Sequence, residues 1–510
     1  MPPKITLRFE VDQRHVARLA DHPLFKRATR RETHKLYGVY YDTPGLDLWG
    51  TGVTLMLQRA GRQWRQTVTS GGSVAAGLHQ YNEFSTTIAA SLPDFNALDA
   101  SGIAGHFRSL ELRAQFKPLL VMEFTRTTCV LLHKDGVAIE ASIDRGLIRS
   151  GDATAPVSEL ELEVKEGPAW RAYQLAIQLL ETVPLLVDDR PQMQHGIELH
   201  PGALSKPRKT PVSPLVTGMS CNEAFKALML TCISHYIANE RGMLNGADPE
   251  YLHQLRVALR RLRSVFSTFG PLFTDSVLEP PIAEIRQLAQ LLGEARDWDV
   301  FVAEKLPPVL THYANHAGLT AMTDVAAQLR RAANRRAQRA IVSTQGQGLL
   351  LALGAWISAQ TWLEALDDPQ RAALERPAID YARSTLDAAL TRVRKRGRDF
   401  AALSPAHLHR LRIAAKRLRY ATDFFAPLFD HKEARKYRAV LARLQDALGS
   451  YNDATKMTHF AGLASRRHKG ARANEARGIV FGWGAAMQHS DTRYLRRIWK
   501  ELRSAQTFWK

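Results

Sequence analysis

Two stretches of the sequence repeat the same basic side chains at the same spacing. HQLRVALRRLRS covers residues 253–264, and HRLRIAAKRLRY covers residues 409–420, 156 positions later. The shared side chains are His253, Arg256, Arg260 and Arg263 in the first copy and His409, Arg412, Lys416 and Arg419 in the second. On an α-helix this 3-4-3 spacing confines four side chains to an arc of about 80°. Each copy therefore predicts a helix with one continuous basic face.

The chemistry that such a face offers is the binding of phosphate groups. An arginine can hold phosphate oxygens through two N–H groups at once, and a lysine acts as a point charge. A histidine adds a hydrogen bond that becomes stronger once the ring is protonated. A duplicated basic face of this kind therefore indicates a polyanionic partner.

The repeat continues beyond the basic helix. Gly293 pairs with Gly449 and Asp297 with Asp453 at the same offset of 156 residues, which predicts a duplicated helical unit. We expect the two aspartates to cap helices or orient basic side chains. Ordinary solvated helix faces also carry arginines at this spacing, and that explanation suits the run from Arg331 through Arg335 to Arg339. It suits the duplicated set poorly, because solubility does not require the same residue types at the same offsets twice.

The distribution of charge separates the two ends of the chain. The 510 residues carry a formal net charge of +19. Residues 1–200 hold 22 Lys and Arg against 23 Asp and Glu, and residues 201–510 hold 47 against 27. A polyanionic partner is therefore expected for the C-terminal part. The three cysteines show no metal-binding spacing and indicate a reduced, cytoplasmic setting, and no apolar run reaches the length of a membrane span.

The N-terminal part alternates apolar and polar residues as antiparallel strands do. Residues 4–12 form one such segment, a hairpin is expected through Ala60 to Arg62, and the strand at 158–165 places Glu159, Glu161, Glu163 and Lys165 on one face. A file of acids is costly to bury unless it holds a metal or basic groups. These strands predict a barrel whose polar face points inward.

These segments resemble the CYTH, or triphosphate tunnel metalloenzyme, family over about residues 1–200. The resemblance rests on YYDTPGLDLW, SELELEVKEG, SIDRGLI around Asp144 and FTRT around Arg126. It implies a tunnel in which Arg8, Arg126, Asp144, Glu159, Glu161, Glu163 and Lys165 are the candidate phosphate- and metal-binding residues. Mg²⁺ or Mn²⁺ would be required only by an active tunnel.

The sequence departs from the family's Glu-x-Glu-x-Lys motif on the first strand, which here reads Lys4-Ile5-Thr6-Leu7-Arg8. Both metal-binding acids are missing. Inside the tunnel, where the family carries Arg, Arg and Lys, this chain has Met56, Gln58 and Thr69. Loss of carboxylates removes ligands that hard cations need, and loss of cations weakens transition-state stabilisation. We therefore expect the tunnel to be degenerate, with no catalytic residues assigned and inorganic triphosphatase activity as the alternative.

The C-terminal part resembles the CHAD domain, the conserved-histidine α-helical domain. The two basic helices, GEARDWD and LQDALGSYND carry the resemblance. We expect an α+β multidomain chain in which the antiparallel barrel (1–200) and a linker (201–217) precede an all-α bundle with two pseudo-symmetric halves (218–510). Asp248 and Ser404 are predicted N-caps, each followed by proline.

The resemblance implies that the duplicated residues line a basic channel or groove that binds inorganic polyphosphate without a cofactor, at polyphosphate granules in the cytoplasm. Three hypotheses follow from the sequence: a polyphosphate-binding protein, a triphosphatase whose helical part captures substrate, and a nucleic-acid binder. Nucleic acid is disfavoured because aromatic stacking platforms are sparse on the basic helices. No membrane partner is expected, and the oligomeric state stays open.

Overall fold

The N-terminal part is a closed antiparallel barrel of eight strands. The computed structural model describes residues 3–61, 63–101, 104–107, 110–199, 206–246, 248–466, 470–490 and 492–510. The strands are β1 (Lys4–Glu10), β2 (Arg30–Asp42), β3 (Thr54–Ala60), β4 (Gln63–Ala75), β5 (Leu78–Ile88), β6 (Lys117–Leu132), β7 (Ala138–Ser150) and β8 (Ala153–Glu166). Their order is β5-β4-β3-β2-β6-β7-β8-β1, and pairing of β1 with β5 closes the barrel. A two-residue strand, β9 (Leu186–Val187), extends the edge of β1.

The helices are numbered in chain order from the N-terminus. Those before the linker are α1 (Gln13–Ala20), α2 (Pro23–Lys26), α3 (Asp47–Gly50), α4 (Leu110–Gln115), α5 (Trp170–Leu180) and α6 (Gln192–Ile197). Those after it are α7 (Cys221–Asn245), α8 (Pro249–Phe269), α9 (Asp275–Val300), α10 (Leu306–His312), α11 (Ala317–Val342), α12 (Thr344–Ala359), α13 (Asp368–Glu375), α14 (Ala378–Arg396), α15 (Pro405–Phe425), α16 (His431–Ser465), α17 (Ala471–Ser490) and α18 (Thr492–Ser504). A π-helical turn (Phe301–Lys305) joins α9 to α10.

Strand alternation sets the polar and apolar sides of the barrel wall. On β1, Leu7 and Phe9 are buried on the side away from the cavity, while Lys4 and Arg8 line the cavity. Successive residues of a strand point to opposite faces, which produces this separation. The predicted inward-pointing polar face is confirmed, and so is the predicted hairpin, because Ala60 pairs with Gln63 across the turn. Arg62 lies outside the described residues.

The chain divides into two compact units. The first comprises Met1–Pro207 together with Val342–Gln360, and the second comprises Arg208–Ile341 together with Thr361–Lys510. The apolar segment near 348–359 lies in the largely buried helix α12, which belongs to the barrel unit and packs on α5. A Cβ on Gly354 would lie 2.3 Å from the ring of Tyr173, so this glycine permits the close approach of the two helices.

The second unit is helical, with paired halves. In the first half α7, α8 and α9 pack in sequence, and in the second α14, α15 and α16 do the same. The predicted N-caps are confirmed: the side chain of Asp248 accepts a hydrogen bond from the N–H of Glu250, and that of Ser404 accepts one from the N–H of His407. A proline follows each cap at the first helical position, where its missing N–H is not needed.

Aromatic side chains fill the core of this helical unit. Phe225 of α7 packs against Phe269 of α8 with ring centroids 5.7 Å apart, and against Phe273 and Trp362 at 4.8 and 5.5 Å. Phe269 in turn contacts Phe425 of α15. Burial of each such ring stabilises the fold by roughly 2 to 3 kcal/mol, so this cluster fixes α8 and α15 firmly.

Among the residues described above, no single helix has the length and apolar composition to cross a membrane. The bent pair α11 and α12 meets both criteria only when its two members are taken together.

Candidate functional site

The two basic helices bring the inner members of the duplicated set together in the helical unit. We call the eight residues His253, Arg256, Arg260, Arg263, His409, Arg412, Lys416 and Arg419 the duplicated basic face. α8 supplies the first four, α15 supplies the others, and the two helices contact each other. Arg256, Arg260, Arg412 and Lys416 are partly buried, whereas Arg263 and His409 are exposed. The apolar stripes of both helices fix their orientation, because Leu255, Leu259, Leu411 and Leu418 are almost fully buried.

Lys416 is surrounded by cations from both copies. Its charged neighbours include Arg256 and Arg260 of α8, Arg412 of its own helix and Lys456 of α16. Burial, and then repulsion by these cations, lowers the pKa of Lys416 from 10.5 to about 7. Bringing these side chains together opposes folding, because like charges at close range are desolvated without mutual compensation. A bound anion would remove that cost.

The arginines on either side of Lys416 retain hydrogen-bonding capacity. The Nε atoms of Arg260 and Arg412 are buried and have no hydrogen-bond partner among the described residues. The guanidinium of Arg260 lies 5.6 Å from the ring centroid of Tyr420, which holds it by a cation–π contact. Buried donors without acceptors are uncommon in folded proteins, and an external acceptor such as a water molecule or an ion is one explanation for them.

One aspartate contacts two of the cations around Lys416. The carboxylate of Asp297 lies 2.7 Å from Nζ of Lys456 and 3.8 Å from Nη2 of Arg256. A Cβ on Gly293 would come within 2.7 Å of Nη1 of Arg256, so a glycine leaves room for the guanidinium. These contacts agree with the expectation that Asp297 orients basic side chains. The side chain of Asp453 lies outside the described residues.

The two histidines of the repeat occupy different environments. Burial lowers the pKa of His253, with Arg296 and Arg260 contributing and Glu250 opposing. His253 is therefore a neutral hydrogen-bonding group at pH 7, while its counterpart His409 is exposed. The two histidines are equivalent positions of the repeat, but only His253 is partly enclosed by its neighbours.

The outer members of the face and the other basic runs are more solvated. Arg419 donates a hydrogen bond to Oε1 of Gln445 at 3.0 Å and lies 3.9 Å from Asp423. The side chain of Arg263 is exposed, although partial desolvation and the nearby Arg286 still lower the pKa of its guanidinium. Side chains outside the duplicated set are exposed at Arg331, Arg335, Arg339, Arg392, Arg394, Lys395, Arg396 and Arg398. Exposed cations of this kind are well hydrated and fit the solvated-face explanation.

The barrel unit encloses a cavity of about 740 Å³ with two unlike walls. The apolar wall comprises Leu36, Tyr40, Trp49, Met56, Met122, Phe124 and Met193. The polar wall carries Lys4, Arg8, Arg126, Lys165, Glu83, Glu140, Glu161 and Glu163. Gln58 and Thr69 also line the cavity, so the three departures from the family pattern at Met56, Gln58 and Thr69 lie inside the tunnel.

Acids and bases of the polar wall are paired with one another. Nζ of Lys4 lies 3.1 Å from Glu83 and 3.5 Å from Glu163, and Nε of Arg8 lies 3.4 Å from Glu161. Burial opposes the charge of Arg8, but the neighbouring Glu161 raises its pKa overall. Each of these carboxylates therefore has a cation beside it.

Two of the predicted tunnel residues, Asp144 and Glu159, do not line the cavity. Asp144 is almost fully buried and accepts two hydrogen bonds from Arg126, from Nε at 2.7 Å and from Nη2 at 2.6 Å. Glu159 contacts Nδ1 of His195 at 3.0 Å. Neither carboxylate lines the cavity, and both are committed to a structural partner.

A buried charge network that the sequence did not reveal holds α6 to the barrel. Nε2 of His195 lies 2.9 Å from Asp188, and Arg190 contacts the same carboxylate at 2.7 Å. Burial opposes protonation of His195, but Asp188 and Glu159 raise its pKa to about 9. No motif signals this network, because its members come from β8, α6 and the segment between β9 and α6.

The divalent metal implied by the CYTH resemblance does not fit this wall. Mg²⁺ and Mn²⁺ require several oxygen ligands that are free to converge on one point. Here Glu83, Glu161 and Glu163 each have a lysine or arginine within 3.5 Å. Within the described part of the chain, no three His, Cys, Asp or Glu side chains are grouped so that they could hold a metal ion.

Comparison with known proteins finds two domain models that match different parts of the chain. The CYTH domain model matches residues 4–194, and the CHAD domain model matches residues 227–461. A crystal structure of the CHAD domain from the plant Ricinus communis is 30% identical, with a TM-score of 0.51, and covers 59% of this chain and 99% of that one. PptA from Streptomyces chartreusis is 16% identical, with a TM-score of 0.42, over 55% of this chain and 100% of that one.

An inorganic triphosphatase of Haemophilus influenzae is 26% identical over 150 residues, which is 29% of this chain. The match spans only 40% of the length of that protein. The antiparallel barrel and the duplicated helical unit thus define a two-domain protein of the tunnel-plus-helical-bundle class. The chain belongs to the CHAD family, and the residues that match the CYTH domain model precede its CHAD domain.

Proposed function

We propose that this protein binds inorganic polyphosphate through the duplicated basic face. The observation that carries the proposal is the position of Lys416, partly buried among Arg256, Arg260 and Arg412. Four cations held together at a cost to stability favour an anionic ligand. The repetition of the cations on two helices favours a polymer over a compact anion, because successive phosphates can each meet a cation.

Binding by this face requires neither a metal nor a cofactor. Arg260 and Arg412 each present a buried Nε–H, and the Lys416 ammonium adds a point charge between them. A bound phosphate would accept hydrogen bonds from the arginines, and its charge would favour the protonated form of Lys416. Such charge-assisted hydrogen bonds are roughly twice as strong as those between neutral groups.

The test is a titration of the full chain with polyphosphate at near-physiological salt. We expect Arg260→Glu combined with Lys416→Glu to weaken binding at least about tenfold more than Arg331→Glu combined with Arg335→Glu, because the second pair is solvated. DNA of matched phosphate content serves as the competitor. Equal losses in the two double variants, or displacement by DNA as effective as by polyphosphate, would assign the binding to diffuse positive charge or to nucleic acid.

Hydrolysis of inorganic triphosphate in the barrel is the second candidate function. The similarity to the Haemophilus influenzae triphosphatase favours it. The ion pairs of Lys4 and Arg8 oppose it, because they engage the acids that a catalytic metal needs. Robust metal-dependent release of phosphate from triphosphate by the native chain would support this candidate.

Residence in the cytoplasm at polyphosphate granules belongs to the same proposal. A polymer-binding face carried by a chain whose charge is concentrated in residues 201–510 would concentrate the protein wherever polyphosphate accumulates. A fluorescent fusion is expected to form foci in polyphosphate-rich cells and to disperse in cells depleted of polyphosphate. Foci that persist after depletion would contradict this localisation.

A further inference from the structure

The inward-facing residues of β1 stand directly opposite the acids of β8. Thr6 pairs with Glu163, and Arg8 pairs with Glu161, while Lys4 pairs with Tyr81 of β5 on the other side. Residues at alternate positions of a strand share one face, so Lys4, Thr6 and Arg8 point to the same side as these acids. The strand register therefore fixes a row of cations and a hydroxyl against a row of carboxylates.

Lys4 joins the acids of two strands that β1 separates. Its Nζ contacts Glu83 of β5 and Glu163 of β8, and Nζ of Lys165 contacts Glu163 at 2.8 Å and Glu140 at 3.2 Å. Three carboxylates thus alternate with two ammonium groups. Burial disfavours the charge of Lys4, but Glu83 and Glu163 raise its pKa overall. A bound divalent ion would bring Glu83 and Glu163 together in the same way.

Thr6 lies between Lys4 and Arg8 on the same face of β1, and its side-chain hydroxyl makes no hydrogen bond within the described residues. Thr6 has no exposed surface. A hydroxyl at this position is too short to join the charge network around Glu163. A carboxylate in its place would point toward the same acids and would lack a cation of its own.

We propose that the ammonium group of Lys4 replaces a divalent metal as the cation that holds Glu83 and Glu163, so that the tunnel is a metal-independent site. The charges that line this wall are balanced within it, and a divalent ion would have to displace Lys4 to gain ligands. Replacing Lys4 and Thr6 by glutamate removes the internal cation and adds two oxygen ligands, so this pair of substitutions creates a metal site. The inference concerns the barrel alone and does not depend on polyphosphate binding.

The test measures Mn²⁺ binding directly, by loss of the electron paramagnetic resonance signal of free Mn²⁺, on the full chain. We expect the native chain to bind Mn²⁺ no better than scattered surface carboxylates do, and Lys4→Glu combined with Thr6→Glu to bind one Mn²⁺ at least about tenfold more tightly. Adding Glu163→Gln to that double variant should abolish the gain. Lys26→Glu is the matched control, because Lys26 is an exposed lysine that does not line the cavity.

A second variant covers the case in which the double variant fails to fold, as judged by circular dichroism. Lys4→Gln removes the internal cation without adding a buried charge, and we expect it to bind Mn²⁺ measurably better than the native chain and Lys26→Gln do. Tight binding of one Mn²⁺ by the native chain, weakened by Glu163→Gln, would overturn the proposal. So would a folded double variant, or a folded Lys4→Gln chain, that binds no better than its Lys26 control.

Discussion

Both units contain partly buried lysine and arginine side chains, but these lie beside acids in the barrel and beside other cations in the helical unit. In the barrel, Arg126 faces the carboxylate of Asp144 through two hydrogen bonds, and Lys4 lies between two glutamates. In the helical unit, Lys416 faces Arg256 and Arg260. Basic residues buried beside acids complete the charge of a site within the protein, whereas basic residues buried beside one another leave it to be completed by a ligand.

The two halves of the chain differ in the arrangement of their charges as well as in the number of them. The barrel half has nearly equal numbers of acids and bases, and its tunnel acids are paired one by one. The helical half has a large excess of bases, and burial together with its inner cations lowers the pKa of Lys416. Net charge alone does not identify a binding face, because exposed arginines on α11 contribute to it equally. The arrangement of charge around a partly buried group is more specific.

The largest effect is expected from removal of a carboxylate in the barrel. Asp144→Asn leaves the partly buried charge of Arg126 without its hydrogen-bonded carboxylate, and we expect the barrel to lose about 3 kcal/mol of stability. The measurement is hydrogen exchange of the amides of β6 and β7, because a chain with two units does not unfold in a single step.

The control for this prediction removes both charges. Arg126→Met combined with Asp144→Leu replaces the ion pair by apolar groups of similar size, and we expect a much smaller loss, because no buried charge is left unpaired. If the single and double variants destabilised β6 and β7 equally, the ion pair would not be what holds these strands.

In the helical unit, removal of a charged side chain is expected to increase stability. Lys416→Met removes a cation that burial and neighbouring cations disfavour, so we expect it to stabilise this unit by about 2 kcal/mol at pH 6. The folded-state pKa of about 7 lies below the ordinary value of 10.5. The unfolded chain therefore binds more protons between these values, and the native protein gains stability as pH rises through that window. The advantage of the methionine variant should fade by about pH 10.

Calorimetry of the native and variant chains at the two pH values measures this change as a shift in the Tm of the helical unit. Lys395→Met is the matched control, since Lys395 is an exposed lysine of α14 and its replacement should leave the pH dependence unaltered. An equal shift at both pH values would mean that lost packing or a new apolar contact, and not charge repulsion, dominates at Lys416.

The sequence predicted the elements whose signals are local and repeated. The 156-residue offset located α8 and α15, and the Asp-Pro and Ser-Pro pairs located their first turns, because capping depends on neighbouring residues only. The alternation in residues 4–12 and 158–165 predicted β1 and β8 and the inward polar face. The resemblance to the CYTH and CHAD families is confirmed by the matching domain models.

What the sequence did not reveal depends on pairings between distant residues. That Lys4 would bridge Glu83 and Glu163 follows from the strand register, which no local signal gives. That α12 would pack on α5 of the barrel follows from tertiary contacts of an apolar helix whose composition does not specify a partner. The repeat also made His253 and His409 look equivalent, although one is partly enclosed and the other exposed.

The smallest change in stability is expected from alanine substitutions at Gly293 and Gly449, the two glycines that the repeat pairs. Alanine in a helix is favoured over glycine by roughly 0.5 to 1 kcal/mol, and no described atom lies within 4 Å of a Cβ at Gly449. Gly449→Ala should therefore stabilise α16 by about that amount. At Gly293 the new methyl group would meet Nη1 of Arg256, whose flexible guanidinium must move, so the gain should be smaller.

Polyphosphate affinity separates the two glycine variants more clearly than stability does. Displacing Arg256 from the duplicated basic face should weaken binding by about threefold, the equivalent of one partly lost hydrogen bond, while Gly449→Ala should leave binding unchanged. Titration of both variants at one salt concentration checks this. Equal affinities would show that Arg256 can move without loss and that the ligand contacts lie closer to Lys416. A weaker Gly449→Ala chain with an unaffected Gly293→Ala chain would instead place the more important copy of the repeat on α15 and α16.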